Sequence, residues 1–155
     1  MRKWFSAALL LIGLTACQQP IQSPLRVNHP LVNTGWVLIT KNGQQLPAYL
    51  HKAPSLLIEK VGFGGFGGCN GFGYLAGGTV PWQPPYDFSD SNFVVRDMVQ
   101  TAMGCGGDIN RYEAEYMQAL RDTRQYRLEQ DKLILMTPDN TVLLIFRRDD
   151  ALLPK

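Results

Sequence analysis

Asp108-Ile109-Asn110-Arg111-Tyr112-Glu113-Ala114-Glu115-Tyr116-Met117-Gln118-Ala119-Leu120 is followed by Tyr126-Arg127-Leu128-Glu129, Leu133-Ile134-Leu135-Met136 and Val142-Leu143-Leu144-Ile145-Phe146. In the first run Ile109, Tyr112, Tyr116, Met117 and Leu120 recur every three or four residues, which gives a helix one apolar stripe. Asp108 is placed as its N-cap, and the helix is expected over about 108–123. The three later runs are short and apolar, and Gln130-Asp131 and Pro138-Asp139-Asn140 separate them as turns. They read as a three-stranded meander. One helix beside consecutive strands points to an α+β domain.

Towards the N-terminus the strand signals continue. Gly35-Trp36-Val37-Leu38-Ile39-Thr40 is a β-branched and aromatic run closed by Asn42-Gly43, a strong turn dipeptide. Leu56 to Val61 and Asn92 to Arg96 are two further candidates. Glycines dominate from Gly62 to Gly78, with Phe63, Phe66, Phe72 and Tyr74 interleaved, as suits bulges and sharp bends in curved strands. Pro81, Pro84 and Pro85 mark a loop. The expected architecture is a small, mainly antiparallel curved sheet or partly open barrel with one main helix.

Ahead of these signals stands a different kind of sequence. Arg2 and Lys3 precede an apolar run from Trp4 to Leu14. That run is about half the roughly 20 residues a spanning helix needs, so it reads as an export signal. It ends in Leu14-Thr15-Ala16-Cys17, which is similar to a bacterial lipobox, where the Cys thiol takes a thioether-linked lipid and the chain is cut before it. Gln18 to Pro24, rich in Gln, Ser and Pro, then reads as an extended tether. The expected organisation is a signal peptide at 1–16, a lipidated tether at 17–33, a folded domain at 34–148 and a tail at 149–155. Gln18, where an Asp would favour inner-membrane retention, leans towards the periplasmic face of the outer membrane.

Composition removes several functions. The chain has 155 residues, enough for one domain. Of its 15 basic residues Arg2 and Lys3 leave with the signal, so 13 remain against 13 acidic ones. A balanced chain carries no electrostatic footprint for nucleic acid. Gly62-Phe63-Gly64-Gly65-Phe66-Gly67 matches a dinucleotide-binding pattern, but neither a following helix nor an acidic residue about 20 positions on accompanies it. His29 and His51 stand apart from other ligand types, so no zinc site is expected. No cofactor is implied. With Cys17 lipidated, Cys69 and Cys105 most simply form one disulfide in an oxidising compartment; the other use of Cys69, as a nucleophile, would need His51 as its base. No sequence signature argues for an enzyme.

Trp36-Val37-Leu38, Gly68-Cys69-Asn70, Thr101-Ala102-Met103-Gly104-Cys105, the helix with Glu113, Tyr116, Ala119 and Leu120, and then Tyr126-x-Leu128, Leu133-x-Leu135 and Leu144-x-Phe146 occur in an order that resembles the META domain of heat-shock HslJ-like envelope lipoproteins. The likeness runs from about Thr34 to Arg148. It departs from the family pattern at Gly71-Phe72-Gly73-Tyr74, which is compressed, and at Pro81 to Pro85, which looks like a lengthened loop. The resemblance implies a non-enzymatic protein linked to stress or secretion, with no agreed ligand. Asn70 is expected to adopt a left-handed turn or to satisfy a buried strand end, Met103 to fill core, and Thr101 to bond backbone. Phe63, Phe66, Trp82, Tyr86 and Phe88 sit among Gly and Pro, where they form either a surface for an envelope protein partner or the cap of a small barrel.

The resulting expectation is a lipid-anchored, non-enzymatic, stress-related binding or protective module. The alternative is an envelope hydrolase or protease-inhibitor-like protein with a site invisible in sequence. Cys17→Ser should leave an unprocessed precursor and abolish acyl labelling, as checked by metabolic labelling with a fatty-acid analogue and by the mass of the N-terminal peptide.

Overall fold

The computed structural model describes residues 29–60, 62–74 and 86–154. The elements in chain order are β1 (Thr34–Lys41), β2 (Gln44–Gln45), β3 (Ser55–Glu59), β4 (Gly62–Phe66), β5 (Gly71–Tyr74), β6 (Tyr86–Asp87), β7 (Val94–Val95), β8 (Met98–Gln100), α1 (Gly107–Asp122), β9 (Gln125–Glu129), β10 (Lys132–Met136) and β11 (Val142–Arg148), with a 3-10 turn at Asp150–Leu152. Nine strands form one open sheet in the order β8-β5-β4-β3-β1-β11-β10-β9, with β2 on β1, and β6 pairs β7 separately. All the pairings are antiparallel. The fold is α+β.

The C-terminal meander follows the alternation of its residues. Leu133 pairs with Phe146 and Leu128, and Leu135 with Leu144 and Tyr126, so one face of three strands is apolar. Gln130, at φ 53°, turns the β9–β10 hairpin, and Asn140, at φ 65°, turns the next one. Asn42 and Gly43 both have positive φ, the backbone that a tight β1–β2 hairpin requires. β1 then joins the two halves of the sheet: Leu38 lies beside Phe146 of β11, and Trp36 beside Leu56 of β3. The helix lays Tyr112, Tyr116, Met117, Ala119 and Leu120 on the resulting face, where Trp36, Leu38, Leu56, Ile58, Leu133, Leu144 and Phe146 are buried.

The glycine run forms β4 and part of β5, not a nucleotide loop. At Gly65 a Cβ would lie 2.1 Å from the Ser55 carbonyl oxygen and 2.9 Å from the Phe72 ring, so only glycine allows the neighbouring strands to approach so closely.

Several sequence expectations are corrected. The helix starts on Gly106, with φ 92° and no side-chain cap; Asp108 instead sits in the first turn and pairs with Arg111. The segment Asn92 to Arg96 forms only the two-residue β7, because Asn92 bridges Gln125 and Phe93 donates its N–H to the Arg124 carbonyl. Packed structure begins before Thr34: Leu31 is fully buried, and its carbonyl accepts the Thr34 hydroxyl. It also runs past Arg148, since Asp149 donates its N–H to the Gly35 carbonyl and the Gly35 N–H is accepted by Asp150. Phe63 and Phe88, named as partner-surface candidates, are 4% and 1% exposed and belong to the core. Phe88 packs on Phe93 with ring centroids 4.6 Å apart, an apolar contact stronger than the Gly and Pro context suggested. Phe66 is half-buried beneath Lys52. Trp82, the Pro81–Pro85 loop and the Tyr86 side chain lie outside the described residues.

His29 ties the start of the fold to β9. Its ring accepts the Leu31 N–H through Nδ1 and meets the Tyr126 hydroxyl at 3.3 Å through Nε2. Burial holds its pKa below the usual 6.5, against opposing contributions from the Phe88 backbone and Asp90. The unfolded chain therefore takes up a proton before the folded one does, so stability from this group is complete above about pH 6.5 and is lost as pH falls through the folded value. Thermal melting should move down between about pH 7.5 and 5.5, and His29→Asn should flatten that slope.

Candidate functional site

Gly67, Gly68, Cys69 and Asn70 form the turn between β4 and β5, and this turn sits against the first half of α1. Glu113, 4% exposed, reaches it from the helix. Its Oε1 accepts the backbone N–H groups of Cys69 at 3.1 Å and Asn70 at 2.5 Å, and its Oε2 accepts the Asn70 carboxamide at 2.7 Å. A buried carboxylate is costly unless such donors replace water, and here three do. A Cβ on Gly67 would lie 2.6 Å from Oε1, so the turn fits the carboxylate only with glycine at that position.

Asn70 passes the connection on to the segment that follows β8. Its Oδ1 accepts the Thr101 hydroxyl at 2.9 Å and the Met103 N–H at 2.7 Å, while its Nδ2 donates to the Met103 carbonyl at 3.2 Å as well as to Glu113. The Thr101 N–H is accepted by the Gly71 carbonyl. The carboxamide thus continues the β5–β8 ladder by one further rung, taking both backbone groups of Met103. Cys69 and Cys105 are joined by a disulfide with Cα atoms 5.8 Å apart, which closes the far end of the segment against the same turn. For a 36-residue separation such a bond restricts the unfolded chain by roughly 4 kcal/mol in the chain-entropy account.

The two motif clusters, Gly68-Cys69-Asn70 and Thr101 to Cys105, therefore meet in space, 31 to 36 residues apart in sequence. Asn70 satisfies a strand end and is not in a left-handed turn. Thr101 bonds the Asn70 side chain, where a backbone partner was expected. Met103 is 59% exposed and does not fill the core, because both its backbone groups are held by Asn70 and its side chain stands at the surface. Sequence reasoning missed Glu113 as the centre of this network. The signals for it were its place in the META-like helix motif and an acidic residue directly beside Tyr112 of the apolar stripe. The Cys69 sulfur is committed to Cys105 and so offers no thiol to His51.

Above the network lies an open groove of about 660 Å³ between residues 100–104 and α1, with Asn70 and Glu113 at its base. Asn110, Ala114, Met117, Gln118 and Arg121 form the helix wall. Elsewhere on α1, Lys41 pairs with Glu115 and stands 4.6 Å over the Tyr112 ring. The hydrogen bond to Lys41 lowers the Glu115 carboxyl, and burial pushes the Tyr112 hydroxyl up to about 12. Among the described residues there is no group of three or more His, Cys, Asp or Glu side chains able to hold a metal.

The META domain family model matches residues 29–150, and the chain belongs to this family. Two similar solved structures, both determined by NMR, share the fold. One is 18% identical, with a TM-score of 0.58 over 79% of this chain and 95% of its own. The other, a protein from Burkholderia xenovorans, is 21% identical, with a TM-score of 0.59 over 77% of this chain and 83% of its own. A comparison with curated proteins finds no match.

The network makes a sharp demand on position 113. Glu113→Gln puts an NH2 group where one carboxylate oxygen now accepts, so at least one donor faces a donor, at a cost of about 2 kcal/mol or more. Gly67→Ala should destabilise in the same direction by displacing the carboxylate. Urea denaturation of both variants, with the disulfide intact, checks this.

Proposed function

We propose that the protein is a lipid-anchored, non-enzymatic binding or protective module of the bacterial envelope, held to the membrane by acylated Cys17. Leu14-Thr15-Ala16-Cys17 at the end of an apolar signal supports the anchor. At about 0.8 kcal/mol per buried methylene one acyl chain holds only marginally, whereas the two or more chains of an acylated lipobox Cys would hold the domain stably. No helix among the described residues is long and apolar enough to cross a membrane. The Cys69–Cys105 bond suits an oxidising compartment.

The observation that carries the binding reading is the contrast at the groove. The polar side chains at its base, Asn70, Thr101 and Glu113, are spent on one another and on backbone, while the groove above them stays open. Groups held in this way shape a surface; they are not poised as nucleophile or base. A role in envelope stress follows from the family resemblance. The periplasmic face of the outer membrane is the favoured location, on the Gln18 lean.

Density-gradient fractionation should place the parent with outer membranes, shift Gln18→Asp towards the inner membrane and release Cys17→Ser from normal processing. Cells lacking the protein should be sensitised to envelope stress and rescued only by the acylated form. Turnover of ester, glycoside or peptide substrates by the purified protein would overturn the non-enzymatic reading.

A further inference from the structure

β8 is an edge of the main sheet. It faces β5 through Val99 and Thr101: Gly73 pairs with Val99, and the Thr101 N–H is accepted by the Gly71 carbonyl. Met103 faces the same way, into the Asn70 carboxamide. In an antiparallel ladder the residues between these present their N–H and C=O to the other side. Gln100 and Ala102 therefore point their backbone groups away from β5, and no described residue bonds to them there.

Natural edges of this kind are blunted by Lys, Pro, a bulge or a covering element. Here Met98 to Cys105 contain no charged residue and no Pro, and residues 99–104 are exposed. The unpaired edge forms one wall of the open groove, and α1 forms the other. A free strand edge beside a helix, with a groove between them, is the arrangement in which an extended peptide adds a strand to a sheet.

The geometry points to this groove as a docking site for an extended polypeptide segment that pairs with Gln100 and Ala102 and carries a carboxylate opposite Arg121. Backbone chemistry selects the class, because alternating donors and acceptors two residues apart are matched by another extended backbone. Charge selects within the class. Arg121 lines the groove and makes no ion pair among the described residues, whereas Glu113 is already satisfied by three N–H groups. The segment 98–104 and α1 run in opposite directions, since Cys105 donates its N–H to Asn110 Oδ1 and, a turn further along the helix, Asn70 bridges the earlier Met103 to Glu113. A peptide antiparallel to β8 thus brings its C-terminal part to the Gln100 end, where Arg121 stands. A second copy fits less well, since its own segment 98–105 offers no acid for Arg121. The groove is open, so the segment runs on through it and the carboxylate is an Asp or Glu side chain.

This inference rests on the binding reading above and identifies the partner class. The probe is a randomised decapeptide library in two arms, one with free and one with amidated C-termini, offered to the full acylated protein in detergent. Peptides with an Asp or Glu near their C-terminal end should be retained intact in both arms, and loss of the amidated arm overturns the side-chain assignment. Ala102→Pro removes an outward N–H without touching the β5 bonds and should weaken retention at least about tenfold. Arg121→Ala, on the exposed helix face, should do the same for acidic peptides while leaving thermal stability unchanged, and so decides the matter if the Pro variant misfolds. No enrichment over the support, or binding unchanged in both variants, overturns the docking site. A concentration-dependent dimer in light scattering that forms in place of peptide binding also overturns it, in favour of edge pairing between copies. Recovery of cleaved peptides would overturn the non-enzymatic reading and leave the docking site standing.

Discussion

A single buried carboxylate, Glu113, holds the turn between β4 and β5 to the helix, and through Asn70 it holds the edge strand as well. Oε1 takes two backbone N–H groups of the turn, and Oε2 takes the Asn70 carboxamide, whose oxygen takes Thr101 and Met103. Removal of any one member leaves a buried donor or acceptor without its partner, which costs more than the net worth of a single bond. The disulfide closes the same region covalently, so hydrogen bonds and a cross-link constrain the same two chain segments.

This arrangement explains why the glycine-rich stretch needs its glycines. Gly67 leaves space for the carboxylate, and Gly65 lets β3 and β5 close in around β4. The β3–β5 side of the sheet still packs Leu56, Ile58, Phe63 and Phe72 into the core, and the network adds polar connections to that packing. The opposite side, β9 to β11, is held by conventional apolar pairs such as Leu133 with Phe146. β1 lies between them and carries Trp36, whose Nε1–H bonds Thr34. β1 thus joins two apolar-packed halves, of which the β3–β5 half also carries the polar network, and the groove opens on that half.

Much of the architecture was legible in sequence where one period or one turn chemistry dominated. The helix stripe, the C-terminal meander, the first strand and the Asn42-Gly43 hairpin follow from local pattern alone. The helix N-cap was misplaced because Gly106 opens the helix by its backbone conformation, with no side-chain signal to read. Phe63 and Phe88 looked exposed because Gly and Pro neighbours hide the partners that bury them, and those partners are distant in sequence or lie on another element.

The sequence by itself determined the class of domain and the pair of cysteines available for a bond. Each is a local property of composition, periodicity or a short motif. Tertiary structure alone decided that Gly68-Cys69-Asn70, Thr101 to Met103 and Glu113 meet, that Met103 is presented at the surface, and that an open groove lies between residues 100–104 and α1. The reason is that the carboxylate and the edge segment take their partners from a turn 30 to 45 residues away in the chain. Periodicity reports which face of an element is apolar, but not which distant backbone will lie against its polar exceptions.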